Sequence, residues 1–384
     1  MFVFPTTFFS SSSSVNPWVN WNGSKDGFFT NIFNAEDIFD IAKFDTNRSI
    51  ILYGDSNGGQ VYAIVATTVG NLITYHIPQP LDSTALHEAS VCALDNNRVL
   101  ICYNTNPGIS AVVLSIDSSN NITVNGSAII DSSSNFATQR VLKLSTDQCI
   151  LTYVDFNNSA FYGTCITTIG DSIGAPNPII QIEDYLIDSY NITVLSPTSV
   201  FISYTANEDS EGIQGIELTI SSNIISKFSS NNLVPTSVHI INLLTCSAID
   251  SNNILVVYED NDAIQFKAFV TTITDSSGNM IVGPSTTFYF GRGSGSVIGT
   301  SNSLCFIDSH TFMIIISTQD PSAAWGIVLS VDNTNITVDN TVELFGADTA
   351  EFCAILLDST RILIGGLITI DDNISVGNQV LSIV

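Results

Sequence analysis

Positive charge is the scarcest property of this chain. Its 384 residues include 10 lysines and arginines against 36 aspartates and glutamates, which gives a formal net charge of −26. A surface this acidic repels phosphate backbones and anionic lipid headgroups. Charged residues make up only 12% of the chain, so its polar part consists mostly of Ser, Thr, Asn and Gly. We therefore expect no nucleic-acid partner.

Long hydrophobic runs are also missing. No stretch reaches the roughly eighteen apolar residues that a transmembrane helix needs, so we expect no membrane span. Residues 1–14 lack the basic start and the long apolar core of a secretory signal. We expect a protein that is extracellular, at a cell surface or in a virion. Its export would use another route, a leader outside this chain, or transport as part of a particle.

Cysteine motifs are absent although the chain has seven cysteines. The cysteines lie inside apolar runs without CxxC or Cys/His spacing, which argues against a zinc site. The odd count excludes complete pairing within the chain, and buried free thiols are the simplest interpretation. One pair is a disulfide candidate, because Cys149 and Cys165 lie symmetrically about the turn 155–159 and would face each other across a hairpin.

Catalytic motifs are missing as well. The sequence has no GxSxG elbow and no Walker loop, and its four histidines fall in no metal-ligand pattern. We therefore predict a protein that is not an enzyme and that has no cofactor or metal site. The enzymatic alternative is a secreted glycoside hydrolase with paired carboxylates near a central channel, although no such pair stands out.

An internal repeat is what the sequence does contain. Each copy has an apolar residue, a turn of Asp or Ser with Asn or Thr, and a strongly β-forming run; successive copies end 50 to 58 residues apart. The seven copies are FDTNRSIILY (44–53), LDNNRVLICY (94–103), LSTDQCILTY (144–153), LSPTSVFISY (195–204), IDSNNILVVY (249–258), IDSHTFMIII (307–316) and LDSTRILIGG (357–366).

Each copy divides into four strand-like runs separated by Asn, Asp, Ser and Gly, and no long segment has a helical period. In the second copy the runs are 90–94, 98–103, 110–116 and 122–130. The second run of a copy is apolar without alternation, which indicates a strand covered on both faces. The pattern predicts an all-β fold, a seven-bladed β-propeller with four antiparallel strands per blade.

The predicted propeller covers residues 38–384 and follows an aromatic-rich N-terminal arm, residues 1–37. The last copy has four runs of its own, so we expect the ring to close by side-chain packing between the first and last blades, aided by the arm. Repeated Trp-Asp pairs, kelch glycines and the sialidase box are absent. The repeat style resembles the Asn/Ser-rich propellers of bacterial surface proteins and of virus or phage structural proteins, which implies the propeller fold and a surface role.

One polar position recurs in the turn after the first run. Seven such side chains would form a ring on one face of the propeller, where they would bind a cation or sugar hydroxyls. Asp and Ser also favour the first position of a tight turn, where they accept a backbone N–H bond, and we predict this structural role. The position is occupied by Asp45, Asp95, Ser145, Ser196, Asp250, Asp308 and Asp358.

The arm is too rich in aromatic residues for a disordered tail. It would either pack along its own propeller as an extra strand or plug, or dock onto a neighbouring subunit by strand addition and apolar anchors. The candidate assembly residues are Phe2, Phe4, Phe8, Phe9, Trp18, Trp21, Phe28 and Phe29.

Our preferred function is a non-enzymatic structural protein, extracellular or on a particle surface, that self-assembles as a fibre or virion-type subunit. Its partners would be copies of itself, a glycan or a host surface protein. Asn157, in a predicted hairpin turn, is the most accessible glycosylation candidate. The main alternative is a carbohydrate-binding or adhesive propeller. Aromatic residues in equivalent loops would favour it, but those loops contain Asn and Ser.

Overall fold

Every described element of the protein is a β-strand. The computed structural model describes residues 19–20, 35–55, 60–70, 72–82, 86–105, 108–132, 136–206, 212–235, 244–260, 265–288, 296–297, 304–319, 322–345, 348–359, 361–370 and 373–383. Their strands, β1 to β33, pair antiparallel into seven sheets that follow one another along the chain. The predicted all-β class with antiparallel sheets is confirmed.

The N-terminal strand β1 (Val19–Asn20) precedes the repeats. Sheet 1 contains β2 (Ala35–Lys43), β3 (Arg48–Asp55), β4 (Val61–Val69), β5 (Leu72–Tyr75) and β6 (Gln79–Asp82). Sheet 2 contains β7 (Leu86–Ala93), β8 (Arg98–Thr105), β9 (Gly108–Ile116) and β10 (Ile122–Asp131). Sheet 3 contains β11 (Phe136–Ser145), β12 (Gln148–Asp155), β13 (Ala160–Ile169), β14 (Ser172–Ile173) and β15 (Ile180–Glu183).

Sheet 4 contains β16 (Ile187–Ser196), β17 (Ser199–Ala206), β18 (Gln214–Ser221), β19 (Ile224–Lys227) and β20 (Asn231–Asn232). Sheet 5 contains β21 (Leu244–Ala248), β22 (Asn253–Asp260), β23 (Gln265–Ile273), β24 (Met280–Val282) and β25 (Thr286–Phe288). Sheet 6 contains β26 (Ser296–Val297), β27 (Leu304–Asp308), β28 (Thr311–Gln319), β29 (Ser322–Asp332) and β30 (Asn335–Phe345). Sheet 7 contains β31 (Asp348–Asp358), β32 (Arg361–Ile370) and β33 (Asn373–Ile383).

The hydrophobic core lies between the sheets. Strands such as β8 are apolar on both faces because each sheet packs against two neighbours. Buried side chains form a cluster at each junction of consecutive sheets, and a further cluster joins sheet 7 to sheet 1 through Ile51, Leu357 and Leu363. The sheets therefore form a closed ring, as the propeller prediction requires.

The first strand of each sheet lies innermost in this ring. Contacts between first strands run from β2 to β7, β11, β16, β21, β27 and β31, and then back to β2. The fourth strands lie outermost, and in sheets 1, 3, 4 and 5 the fourth strand is divided into two short segments that pair with the third strand.

The expectation about ring closure is wrong in one respect. Residues 361–370, predicted as two runs, form the single strand β32, so the last repeat supplies three strands to sheet 7. The fourth position is filled by β1, which pairs antiparallel with β33 through Val19 and Ile383. Gly365 and Gly366 pair with Asn378 and Gly377 of β33, so the backbone stays extended through the two glycines and the strand continues. The ring thus closes partly by a sheet that combines both ends of the chain.

The arm aromatics proposed for assembly lie outside the described residues. Val19 and Asn20 of the arm add to the protein's own sheet 7, which corresponds to the self-packing alternative at that point. The boundary predicted after residue 37 remains a prediction, and β2 begins slightly earlier, at Ala35.

The predicted disulfide between Cys149 and Cys165 is wrong. The register pairs Cys149 with Ile166 and Cys165 with Ile150, so the two cysteines are offset by one residue. Since side chains alternate between the faces of a strand, the offset directs their thiols to opposite faces of sheet 3. Cys149 packs toward sheet 2 and Cys165 toward sheet 4, and both are free and buried.

Candidate functional site

The strands of each sheet are connected along two opposite margins, which are rows of strand ends and not the outer strands. We call each of these margins an edge. The first strand joins the second, and the third joins the fourth, at one edge, which we name the turn edge. The second strand joins the third, and the fourth leads to the next sheet, at the opposite edge, which we name the loop edge. In sheet 3 the loop edge is described at residues 156–159 and 184–186, whereas segments such as 56–59 and 261–264 lie outside the described residues.

The repeated aspartates lie at the turn edge. In Asp45, Asp95 and Asp250 one carboxylate oxygen accepts the backbone N–H groups two and three residues later, at 2.8 to 2.9 Å. Burial opposes ionisation of these three groups, but hydrogen bonds outweigh it and hold the pKa of each carboxyl below its usual value. Asp308 accepts one such bond, from His310 N. These bonds shape the turns.

Three of these turns also carry an arginine that reaches the next sheet. We name Arg48, Arg98 and Arg361 the bridging arginines. Each pairs with the aspartate three residues before it. Arg361 then donates to Asn47 Oδ1 at 3.0 Å and to Gly70 O at 3.1 Å, so it links sheet 7 to sheet 1.

The other two bridging arginines repeat this geometry. Arg48 donates to Asn96 O at 2.8 Å and Asp117 O at 3.2 Å, linking sheet 1 to sheet 2. Arg98 donates to Gly170 O and to Asp147 Oδ1, linking sheet 2 to sheet 3. All three side chains are largely buried, with 15 to 17% of their surface exposed. The turn edge therefore holds neighbouring sheets together.

The inner strands supply one carboxylate relevant to the hydrolase alternative. Asp40 on β2 is 3% exposed, and burial raises its pKa. Its Oδ2 accepts bonds from Ser90 Oγ at 2.9 Å and Val91 N at 2.8 Å, while Ser90 Oγ accepts the N–H of Val141. These hydrogen bonds join the inner strands of sheets 1, 2 and 3, so Asp40 helps to hold the three sheets together.

The loop edge has a different repeated residue, a tyrosine near the end of the second strand. Tyr153 OH donates to Asp131 Oδ2 at 2.7 Å, and Tyr204 OH donates to Glu183 Oε1 at 2.9 Å. Each carboxylate ends the outer strand of the preceding sheet, so these bonds also cross between sheets. The tyrosines are all buried: Tyr53, Tyr103, Tyr153, Tyr204 and Tyr258.

The residue opposite this position on the third strand forms the candidate site. In sheets 1, 3 and 6 it is aromatic, and we name Tyr62, Tyr162 and Trp325 the interface aromatics. All three are half-buried and pack against the core shared with the preceding sheet. Tyr62 stacks on Tyr53 with ring centroids 5.4 Å apart, and Tyr162 stacks on Tyr153 at 5.7 Å.

Tyr162 has the most completely described surroundings. Asp131 lies across the interface, and Asp155 lies at the end of β12; burial and then the charges of Asp155 and Asp131 raise the pKa of Tyr162. Asp155 is bonded within its own turn to Asn157 N and Asn158 N. Phe156, 52% exposed, lies at the tip of this turn. The arrangement offers an aromatic ring beside hydrogen-bond acceptors, which is the usual composition of a small polar-ligand site.

Tyr62 has an amide instead of a carboxylate beside it. Its hydroxyl donates to Gln60 Oε1 at 3.0 Å. The corresponding third-strand positions in sheets 2, 4 and 5 carry Ser110, Gln214 and Lys267. The interface aromatics are therefore confined to three of these six interfaces.

These residues lie on strands and not in the loops, where the sequence led us to expect aromatic binding residues. The sequence does contain a signal for them, since each interface aromatic lies nine residues after the last position of its repeat, at 53, 153 and 316.

The predicted glycosylation candidate Asn157 is exposed in the β12–β13 turn. In the described part of the chain, no group of three or more His, Cys, Asp or Glu side chains is placed to hold a metal ion, and no helix could cross a membrane.

The fold is similar to that of several solved structures. The BP39L lectin from Burkholderia pseudomallei has a TM-score of 0.64 at 11% identity, over 90% of this chain and 95% of the lectin. The WD40 domain of Toxoplasma gondii coronin has a TM-score of 0.59 at 7% identity, over 96% of this chain and 86% of that domain. The polysaccharide lyase Uly1 has a TM-score of 0.56 at 7% identity, over 98% of this chain and 94% of the lyase. No protein-family model and no curated protein matches the sequence. Such similarity establishes the fold alone, and the chain has the β-propeller fold.

Proposed function

We propose that the protein is a non-enzymatic, carbohydrate-binding propeller whose seven sheets are the blades of one ring. The observation that carries this proposal is the set of interface aromatics, which recur at one structural position and are half-buried there. A sugar ring has an apolar C–H face that packs on an aromatic side chain, and hydroxyl groups that donate to nearby oxygen acceptors.

The neighbouring acceptors favour a neutral sugar. Asp131 and Asp155 lie near Tyr162, and the whole chain carries a net charge of −26. A sugar with its own carboxylate or sulfate would be repelled by these charges, whereas a neutral hydroxyl would donate to the half-buried Asp131. The similarity of the fold to a bacterial lectin agrees with this proposal, although it supports the fold more directly than the ligand.

Non-enzymatic binding is proposed because the polar groups have structural partners. The turn aspartates shape turns, the bridging arginines join sheets, and Asp40 joins inner strands. Extracellular or cell-surface location, which would expose the protein to glycans, is part of the same proposal. Self-assembly through the arm stays a prediction.

The test is an array of immobilised neutral and acidic glycans probed with the full-length protein. We expect retention on neutral glycans and its loss in a triple variant, Tyr62→Ala, Tyr162→Ala and Trp325→Ala. The matched control is Tyr75→Ala, which alters a half-buried tyrosine at the sheet 7–sheet 1 interface, on the fourth strand. Absence of retention by the wild type, or equal retention by the triple variant, would contradict the proposal.

A further inference from the structure

Two cysteines from neighbouring sheets have their sulfur atoms in contact. Cys92 is on β7, the first strand of sheet 2, and Cys149 is on β12, the second strand of sheet 3. Their Sγ atoms are 3.4 Å apart, although the residues are 57 positions apart in the chain. Both side chains are buried in the core cluster that joins the two sheets.

The local geometry brings these thiols together specifically. Cys92 projects from sheet 2 toward sheet 3, and Cys149 projects in the opposite direction across the same interface. A disulfide has a sulfur separation of about 2.0 Å, so the two sulfur atoms, now in contact at 3.4 Å, must move closer together to bond. Two other described cysteines place their sulfur against oxygen: Cys246 contacts Asn191 Oδ1, and Cys305 contacts Phe306 O.

We propose that Cys92 and Cys149 form a disulfide that covalently joins sheets 2 and 3 when the protein folds in an oxidising compartment. The oxidant is a small-molecule disulfide of the glutathione class. A cysteine thiolate attacks it, releases one small thiol and forms a mixed disulfide; the second cysteine then displaces the other small thiol. The two cysteines lose two electrons and two protons in total, and the oxidant is reduced to two thiols.

The bond forms during folding, before the interface is closed. In the folded protein, the hydrogen bond with Cys149 and then burial raise the pKa of Cys92, and burial raises the pKa of Cys102. The thiolates of Cys92 and Cys102 are therefore scarce in the closed interface, and oxidants have little access to it. Cys102 shares the cluster and is the competing partner for Cys149.

Trypsin mapping under non-reducing conditions separates these alternatives. Cleavage after Arg48, Arg98, Arg140, Lys143 and Lys227 places Cys92 in peptide 49–98, Cys102 in peptide 99–140, and both Cys149 and Cys165 in peptide 144–227. The full-length protein is unfolded, refolded with oxidised and reduced glutathione, blocked with a thiol reagent and digested. We expect peptide 49–98 joined to peptide 144–227.

Variants identify the cysteine used within the last peptide. The bond should persist in Cys165→Ser and Cys102→Ser and be lost in Cys149→Ser and Cys92→Ala. In the wild type, reduction should lower the melting temperature by about 5 °C, because the bond restrains a long loop of the unfolded chain. The same treatment should leave the melting temperature of Cys92→Ala unchanged. A link to peptide 99–140, or a refolded protein whose thiols all react with the blocking reagent, would overturn the proposal.

Discussion

The two edges of the propeller use their polar and aromatic residues differently. At the turn edge, the repeated aspartates are bonded to their own turns, and the bridging arginines connect consecutive sheets. At the loop edge, buried tyrosines bond to carboxylates across the interfaces, while the interface aromatics beside them are only half-buried. A repeated residue is therefore no sign of binding by itself. The difference lies in whether the side chain's chemistry is already satisfied within the protein.

The largest expected effect is at the turn edge. Arg98→Ala removes the bonds to Asp95, Asp147 and Gly170 O, and we expect it to lower the free energy of unfolding by about 2 kcal/mol. Urea denaturation measures this loss. Arg98→Lys, which keeps the charge but not the planar fork, should recover part of the stability.

Glycan retention by Arg98→Ala should equal that of the wild type, since the substitution is far along the strand from the interface aromatics. Stability equal to the wild type would show that the bridging arginines do not join the sheets. Loss of glycan retention by a correctly folded Arg98→Ala variant would show that the turn edge also takes part in glycan binding. It would contradict the proposed distinction between the two edges.

The next effect is at the loop edge. Tyr162→Ala should weaken glycan binding at its interface about tenfold, equivalent to about 1.4 kcal/mol, because the stacking surface is lost. Titration calorimetry with a glycan selected from the array measures the change. Tyr75→Ala serves as the control, and a tenfold loss in that variant would show that the effect is not specific to the interface aromatics.

Tyr153→Phe distinguishes the buried tyrosine from the half-buried Tyr162 stacked on it. The substitution removes the hydroxyl that donates to Asp131 and should cost about 1 kcal/mol of unfolding free energy. Glycan binding should change little, because Tyr162 keeps its ring. Unchanged stability in urea denaturation would show that the hydrogen bond from Tyr153 to Asp131, between sheets 3 and 2, does not stabilise the fold.

The smallest expected effect is the pH dependence of a turn aspartate. The folded pKa of Asp95 lies below its unfolded value, so its contribution to stability is present above the unfolded pKa and is lost as pH falls through the folded pKa. Asp95→Asn should flatten this acid loss by less than about 1 kcal/mol, since the side chain is partly exposed. Melting temperatures from pH 7 down to strongly acidic conditions give the comparison. A steeper loss of stability in acid for the variant than for the wild type would show that folding does not lower the pKa of Asp95.

The repeat predicted the propeller well but not its closure. Segments such as 98–103 were predictable as buried strands because they are apolar without alternation, and β8 covers them. The pairing of Val19 with Ile383 was not predictable, because a two-residue strand has no periodicity. The disulfide prediction failed because symmetry about a turn does not fix register; a one-residue offset reverses the face of a side chain.

The candidate site was visible only in part. The Asp-x-x-Arg spacing of the bridging arginines is present in three repeats, but their partners in the next sheet depend on the ring. Tyr62, Tyr162 and Trp325 share a spacing from the repeat, yet sequence cannot show that these residues stay only half-buried between the sheets. Exposure at an interface is a property of packing, and packing follows from long-range contacts.

The most direct test of the central claim is the number of glycan sites per chain. Calorimetric titration of the full-length protein should give three sites of similar affinity, at Tyr62, Tyr162 and Trp325, and each single alanine substitution should weaken one of them about tenfold and leave the other two unchanged. One site per chain, unchanged in number and affinity by all three substitutions, would place binding elsewhere on the propeller and contradict the account.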